Sequence, residues 1–148
     1  MGNLHQFHRS LSKGKAAEKK FLELFGDRLK ATDGRTVDFI INKSGLTIEL
    51  KTDFYDPAKT PNLFMERWSR DGVDGGPFQA LSKGASYFVY WFPVTNEFFV
   101  FETAPLVAHL EQLKLTLVPV QNIGFTTYGY KVNRAQLEKL RLKLEDIL

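Results

Sequence analysis

The chain has 148 residues, 43% hydrophobic and 25% charged, enough to bury one sizeable core and ordinary for a globular domain. It has no cysteine, no apolar run of membrane-spanning length and no signal-peptide core, which excludes a disulfide framework, a thiolate metal centre and a transmembrane helix. A net charge of +3 and a pI near 9.1 permit a nucleic-acid partner without requiring one. The expectation is a single domain over 1–148, with no membrane partner, in a cytoplasmic, intracellular setting.

Residues 1–12 are polar and basic, with His5, His8 and Arg9 among them. They read either as a solvated, frayed arm or as a phosphate-contacting edge; His5 and His8 are too closely spaced and too poorly accompanied for a metal site. Residues 13–25 read as a helix, because Ala17, Phe21, Leu24 and Phe25 recur at the helical period and Gly26 is placed to stop it. Glu18 shares the face of Phe21, Leu22 and Phe25 rather than the solvent face that Glu23 occupies. A carboxylate among apolar side chains needs a partner or a metal; the alternative is an edge residue paired with Lys15 or Lys19.

The stretch from Val37 to Lys51 reads as a tight β-hairpin around Asn42-Lys43-Ser44-Gly45. Val37, Phe39 and Ile41 share one face of its first strand, and Leu46, Ile48 and Leu50 one face of its second. With the tip centred on Lys43-Ser44, Asp38 lies directly opposite Glu49, a like-charge pair that calls for a cation between the two. Centred on Ser44-Gly45, Asp38 faces Lys51 in an ordinary cross-strand ion pair. Both registers put Asp38, Glu49 and Lys51 on one face.

A breaker-rich loop with Pro57 and Pro61 follows. Residues 62–68 read as a third strand, or as a helical turn, with Glu66 able to approach the hairpin. The loop 71–76 lacks the lysine and hydroxyl residue of a phosphate-binding P-loop. Pro77 opens a short helix through Gln79 to Lys83, which Gly84 terminates. Residues 86–92, aromatic and β-branched, read as a strand buried on both faces at the centre of a mixed sheet. Residues 97–101 return as a strand, and a helix over 105–113 is capped by Thr103. Residues 115–120 and 128–132 are further strands, and the chain closes in a helix over 134–147 with Asn133 as N-cap and Gln136 in a capping-box position. Its stripe of Leu137, Leu140, Leu144 and Ile147 serves packing or a homodimer contact.

Asp38, ten intervening residues and Glu49-Leu50-Lys51 resemble the D…ExK signature of the PD-(D/E)XK nuclease superfamily, which includes restriction endonucleases, archaeal Holliday-junction resolvases and many phage nucleases. Val37 stands where the family name has proline, and Asn62-x-Phe64-x-Glu66 is similar to a stretch after the ExK strand in several phage members. The resemblance covers about the first two-thirds of the chain. It implies an α/β fold with a restriction-endonuclease-like α-β-β-β-α-β core, a mixed central sheet flanked by helices, and a phage-encoded origin as one expectation.

It also implies Mg²⁺, with Mn²⁺ able to substitute, held by Asp38, Glu49 and the Leu50 backbone carbonyl. Lys51 would orient or deprotonate the attacking water, and Glu18, matching a glutamate on the first helix of many members, would act beside the metal. Gln79 and Lys83 match an auxiliary position of some relatives, the alternative being an ordinary helix face. Arg67 and Arg70 are expected as further nucleic-acid contacts. The expected function is therefore a Mg²⁺-dependent DNA endonuclease. The alternatives are a structure-specific Holliday-junction resolvase, a non-catalytic nucleic-acid-binding protein of the same fold, and an unrelated α/β protein in which Asp38 and Glu49 diverge.

Overall fold

The computed structural model describes residues 2–33 and 37–148, with side chains described from residue 14 onward; the roles considered for His5, His8 and Arg9 lie outside the described side chains. Helix α1 runs from Gly2 to Phe25, so the segment expected to fray is the first half of a helix. Ala17 and Phe21 are buried and Leu22 and Phe25 partly so, whereas Leu24, expected in the stripe, is exposed. Phe21 packs its ring 5.1 Å from that of Phe39 and 5.7 Å from that of Trp91.

The central sheet takes its strands from β1 (Leu29–Ala31), β2 (Phe39–Ile41), β3 (Thr47–Thr52), β6 (Tyr87–Phe92) and β7 (Glu97–Glu102), in that spatial order. Strands β1, β2 and β3 form an antiparallel meander, β6 runs parallel to β3, and β7 is antiparallel to β6. The parallel step needs a crossover, and it passes through α2 (Gly76–Ser82). Strand β6 is buried on both faces, as its unbroken apolar sequence requires: Phe88, Tyr90 and Phe92 enter one core, Val89 and Trp91 the other.

The strand expected over 62–68 forms as β4 (Asn62–Arg70), but not as a strand of the central sheet. It pairs with β5 (Val73–Asp74) and β9 (Thr126–Asn133), and β9 pairs in turn with β8 (Val118–Gln121), giving a second, four-stranded antiparallel sheet. Residue patterning missed two strands: β5, which lies inside the expected loop 71–76, and β1, between the first helix and the hairpin. At three residues, only Leu29 of them buried, it carries almost no periodicity.

Two cores result. One lies between the central sheet and α1, with Phe21, Phe39, Ile41, Ile48, Val89 and Trp91. The other lies among the central sheet, the second sheet, α2 and α3 (Thr103–Gln112), with Leu63, Met65, Phe88, Tyr90, Phe101 and Leu106. Thr103 does not cap α3: Glu102 occupies the N-cap without a side-chain bond, and Thr103 is the buried first helical residue. The C-terminal helix is also not continuous. Asn133 caps a 3-10 turn over Arg134–Leu140 by accepting from the Ala135 N–H (2.9 Å), then Leu142 N–H donates to Val100 O (2.7 Å), and only Leu144–Ile147 is α-helical, as α4. The break has a physical cause. Leu137 belongs to one core and Leu144 to the other, so a straight helix could not bury both. Leu137 and Leu144 are buried within their own chain, and Leu140 and Ile147 are partly buried beside them. Among the described residues no helix is long and apolar enough to cross a membrane.

Candidate active site

The hairpin adopts the register centred on Lys43-Ser44. Phe39 pairs with Ile48 and Ile40 with Thr47, and the tip is closed by Ile41 N–H to Leu46 O and Gly45 N–H to Ile41 O, each 2.8 Å. One residue before the ladder the pairing slips. Asp38 N–H donates to Ile48 O (3.1 Å), which is already the partner of Phe39, while Thr32 N–H donates to Asp38 O (3.1 Å). This kink separates Val37 from Phe39: Val37 packs into the core shared with the second sheet, Phe39 into the core under α1, so the three-residue apolar face expected for this strand is broken.

The kink also aims Asp38. Its Oδ2 accepts from Leu50 N–H (2.8 Å), which fixes the carboxylate at the edge of β3 just where β2 ends. A strand residue sends its N–H and C=O to the same edge, so the Leu50 carbonyl is directed to Asp38's side of β3 as well. Glu49 lies in hydrogen-bond contact with Asp38, and its Oε2 is sealed from solvent with no hydrogen-bond partner. Burial, followed by the Asp38 charge, pushes the Glu49 carboxyl up to about 7, against the opposing charge of Lys83. Burial raises Asp38 too, opposed by the Leu50 N–H, the hydrogen bond with Glu49 and the charge of Lys83.

The charge of Lys83, at the C-terminal cap of α2, acts on both carboxyls. Gln79 lies one helical turn before it, on the same side of α2. Glu18 is exposed on α1, yet burial of its carboxyl and then the Asp38 charge raise its pKa, with Lys15 opposing, and Glu49 in turn feels Glu18. It therefore stands at the margin of the pair rather than inside it.

Lys51 shares the β3 face of Glu49, and its Nζ lies 3.4 Å from Glu66 Oε1, with both side chains partly exposed. Glu66 is re-aimed by a bulge, since it pairs with Gly129 whereas Trp68 pairs with the next residue back, Tyr128. It is also hemmed in by α2: Gly76 has φ +48°, and a Cβ there would lie 2.8 Å from Glu66 O.

Arg67, expected as a nucleic-acid contact, is engaged within the fold. Its guanidinium stacks over Trp68 (3.7 Å) and Phe78 (4.4 Å) and pairs with Asp74 at 2.8 Å, so it ties α2 to the second sheet. Arg70 is exposed at the end of β4.

A divalent cation fits this donor set. Two desolvated carboxylates in contact, one with an orphaned buried oxygen, are costly as apo groups, and a hard cation with oxygen ligands relieves both the repulsion and the missing partner. Among the described residues no three His, Asp or Glu side chains converge as a complete cage, so the protein's offer is the carboxylate pair with the neighbouring Leu50 carbonyl.

Beyond Lys51 the surface opens into a cleft of about 730 Å³ between the end of β3 and the second sheet. At its side Tyr90 OH accepts from Phe64 N–H (3.1 Å) and donates to Asp53, a buried arrangement that raises the phenol pKa through burial first and the Asp53 bond second. Residue patterning read this region only as a breaker-rich loop; the adjacent aromatics Phe54-Tyr55 within it were the signal available. No protein-family model, curated protein or solved structure matches the chain.

Proposed function

We propose that the chain is a Mg²⁺-dependent nuclease of the PD-(D/E)XK type that hydrolyses DNA phosphodiester bonds. The observation that carries this reading is the convergence of the Asp38 and Glu49 carboxylates at a kinked strand end, one of them with a buried, unpartnered oxygen. The chain order supports it: α1, the meander β1–β2–β3, α2 and then β6 parallel to β3 follow the α-β-β-β-α-β sequence of the superfamily core. In that order β1 takes the place expected for residues 62–68, and β4 with its sheet is an insertion before α2.

Phosphodiester hydrolysis requires charge stabilisation on the phosphoryl oxygens, an activated water and relief of charge on the leaving oxygen. A bound Mg²⁺ supplies Lewis-acid stabilisation and a more acidic water. Asp38 and Glu49, with the Leu50 carbonyl, would hold it. Asp38 is fixed for this by the Leu50 N–H. Lys51 would neutralise a phosphate oxygen and orient the attacking water, and Glu66, at 3.4 Å, holds its ammonium on the site side of β3. Lys83 balances the carboxylate pair until substrate arrives. Glu18 would contribute from the margin.

The test is incubation of the protein with supercoiled plasmid, linear duplex, single strands and a four-way junction, each with Mg²⁺ or EDTA. Cleavage of at least one in Mg²⁺ and of none in EDTA is expected. Cutting confined to the four-way junction would assign a resolvase-type preference, and binding without cutting in Mg²⁺ would leave a non-catalytic nucleic-acid-binding protein.

A further inference from the structure

The cleft beyond Lys51 is built differently from the carboxylate site. Its volume, about 730 Å³, lies within the roughly 300–1,000 Å³ span of small-ligand sites. One wall is the loop after β3, the other the second sheet, and Lys51 with Glu66 marks the boundary with the carboxylate pair. Tyr55 stands on the lip with 77% of its surface exposed. That exposure comes with a braced backbone: Tyr55 N–H donates to Asp53 Oδ1 (3.0 Å), and the other oxygen of Asp53 takes the Tyr90 hydroxyl. An aromatic ring that the fold does not bury, held on a fixed backbone beside a concave surface, is a stacking platform rather than packing.

Opposite the loop, Phe64 lies over Gly129. A Cβ at that glycine would come within 2.6 Å of the Phe64 ring and 2.8 Å of Met65 O, so the close approach requires glycine. Phe64, Asn62 and Lys131 all line the cleft, and Lys131 pairs with Phe64 across the β4–β9 ladder. The Asn62 side-chain amide makes no hydrogen bond, and Lys131 makes no ion pair, among the described residues. The cleft therefore offers flat apolar surface, a free amide with both donor and acceptor capacity, and a cation on the wall away from Lys51.

We infer that this cleft takes one unpaired nucleobase of the bound strand, next to the phosphate held at Lys51. The inference rests on the nuclease reading of the neighbouring site, because the shared residue Lys51 is what makes the two surfaces continuous. The occupant follows from the chemistry. Stacking on Tyr55 and Phe64 needs a flat π-face, an amide reads a base edge, and Lys131 suits the next phosphate along the strand. In a paired duplex that π-face is hidden between neighbouring base pairs, so the cleft selects a base that is already unpaired or can be extruded.

The test compares a short, fully paired DNA duplex with the same duplex carrying one unpaired nucleotide, by fluorescence anisotropy with Ca²⁺ replacing Mg²⁺. Wild-type protein should bind the second about tenfold more tightly, in line with the cost of losing one base–aromatic stack. Tyr55→Ala should remove that preference and leave affinity for the paired duplex unchanged; its ring is solvent-exposed, so the fold has little to lose. Tyr55→Phe should restore the preference, which a merely structural role for the hydroxyl would not. Equal wild-type affinity for the two duplexes, or a Tyr55→Ala loss shared by both, overturns the base pocket and leaves the nuclease reading standing. No binding to either duplex at low salt, with no cleavage in Mg²⁺, overturns both.

Discussion

A carboxylate oxygen removed from water without a hydrogen-bond partner costs free energy, and Glu49 Oε2 is one. The fold relieves that cost by favouring the protonated acid, which is why the Glu49 pKa rises from 4.5 to about 7. For an acid whose folded pKa is raised, the folded state binds more protons than the unfolded one. Its stabilising contribution is complete below the unfolded value of 4.5 and is lost as the pH climbs through about 7. In EDTA the unfolding midpoint should therefore fall as the pH rises from about 4.5 to about 7. Glu49→Gln, which cannot ionise, should flatten that slope and unfold later than wild type at the alkaline end, as followed by circular dichroism. A residue whose removal stabilises the apo protein and abolishes its chemistry is a site residue rather than a packing residue. Lys51 behaves differently at this scale. Lys51→Ala opens no core and breaks a partly exposed ion pair with Glu66, so stability should change by about 0–1 kcal/mol. Plasmid cleavage in Mg²⁺ should nonetheless fall by roughly 10²–10³, the cost of losing one preorganised charge-stabilising group.

The elements that carry these residues depart from regular geometry where the residues sit. Asp38 occupies the slip at the start of β2, Glu66 the last regular position before a bulge in β4, and α2 approaches β4 so closely at Glu66 that only glycine fits at residue 76. Gly76→Ala should thus cost about 1–3 kcal/mol, read as a lower urea midpoint, because both its left-handed φ and its backbone contacts oppose a Cβ. It should also slow cleavage by shifting Glu66 and with it Lys51. What was legible in the sequence follows the same line. The alternating residues 37–41 and 46–50 gave the hairpin, and one of its two possible registers, the one centred on Lys43-Ser44, is the register observed. The apolar run 86–92 marked a strand buried on both faces, β6, although the middle place in the sheet belongs to β3. Periodicity failed where a tertiary demand splits neighbours between two cores. Val37 and Phe39 part at the kink, and Leu137 and Leu144 part at the break in the last helix. It failed again for β1, whose three residues are ordered by pairing with β2 rather than by their own pattern. The stacking of Arg67 was not legible in the sequence, because its partners Trp68 and Phe78 are brought around it only by the fold.

At the scale of the whole molecule, the central sheet separates a core under α1 from a core shared with the second sheet, and the carboxylate pair sits where the short β2 leaves the edge of β3 open. The second sheet is what adds the cleft, bringing β4, β8 and β9 up to the end of β3 beside Lys51. On the proposed reading, a divalent cation would relieve the repulsion between Asp38 and Glu49. A cation at about a hundred times its dissociation constant should stabilise the native state by roughly 2.7 kcal/mol. That gain should be larger at alkaline than at acidic pH, because Glu49 must lose its proton to bind. The most direct measurement is a calorimetric titration with Mn²⁺ of wild type, Glu49→Gln and Lys51→Ala, above and below the Glu49 pKa. Saturable binding to wild type and Lys51→Ala at alkaline pH, weakened at acidic pH and absent from Glu49→Gln, is the predicted result. Wild-type protein that takes up no Mn²⁺, or Glu49→Gln that takes it up equally well, would contradict the assignment of Asp38 and Glu49 as a metal site.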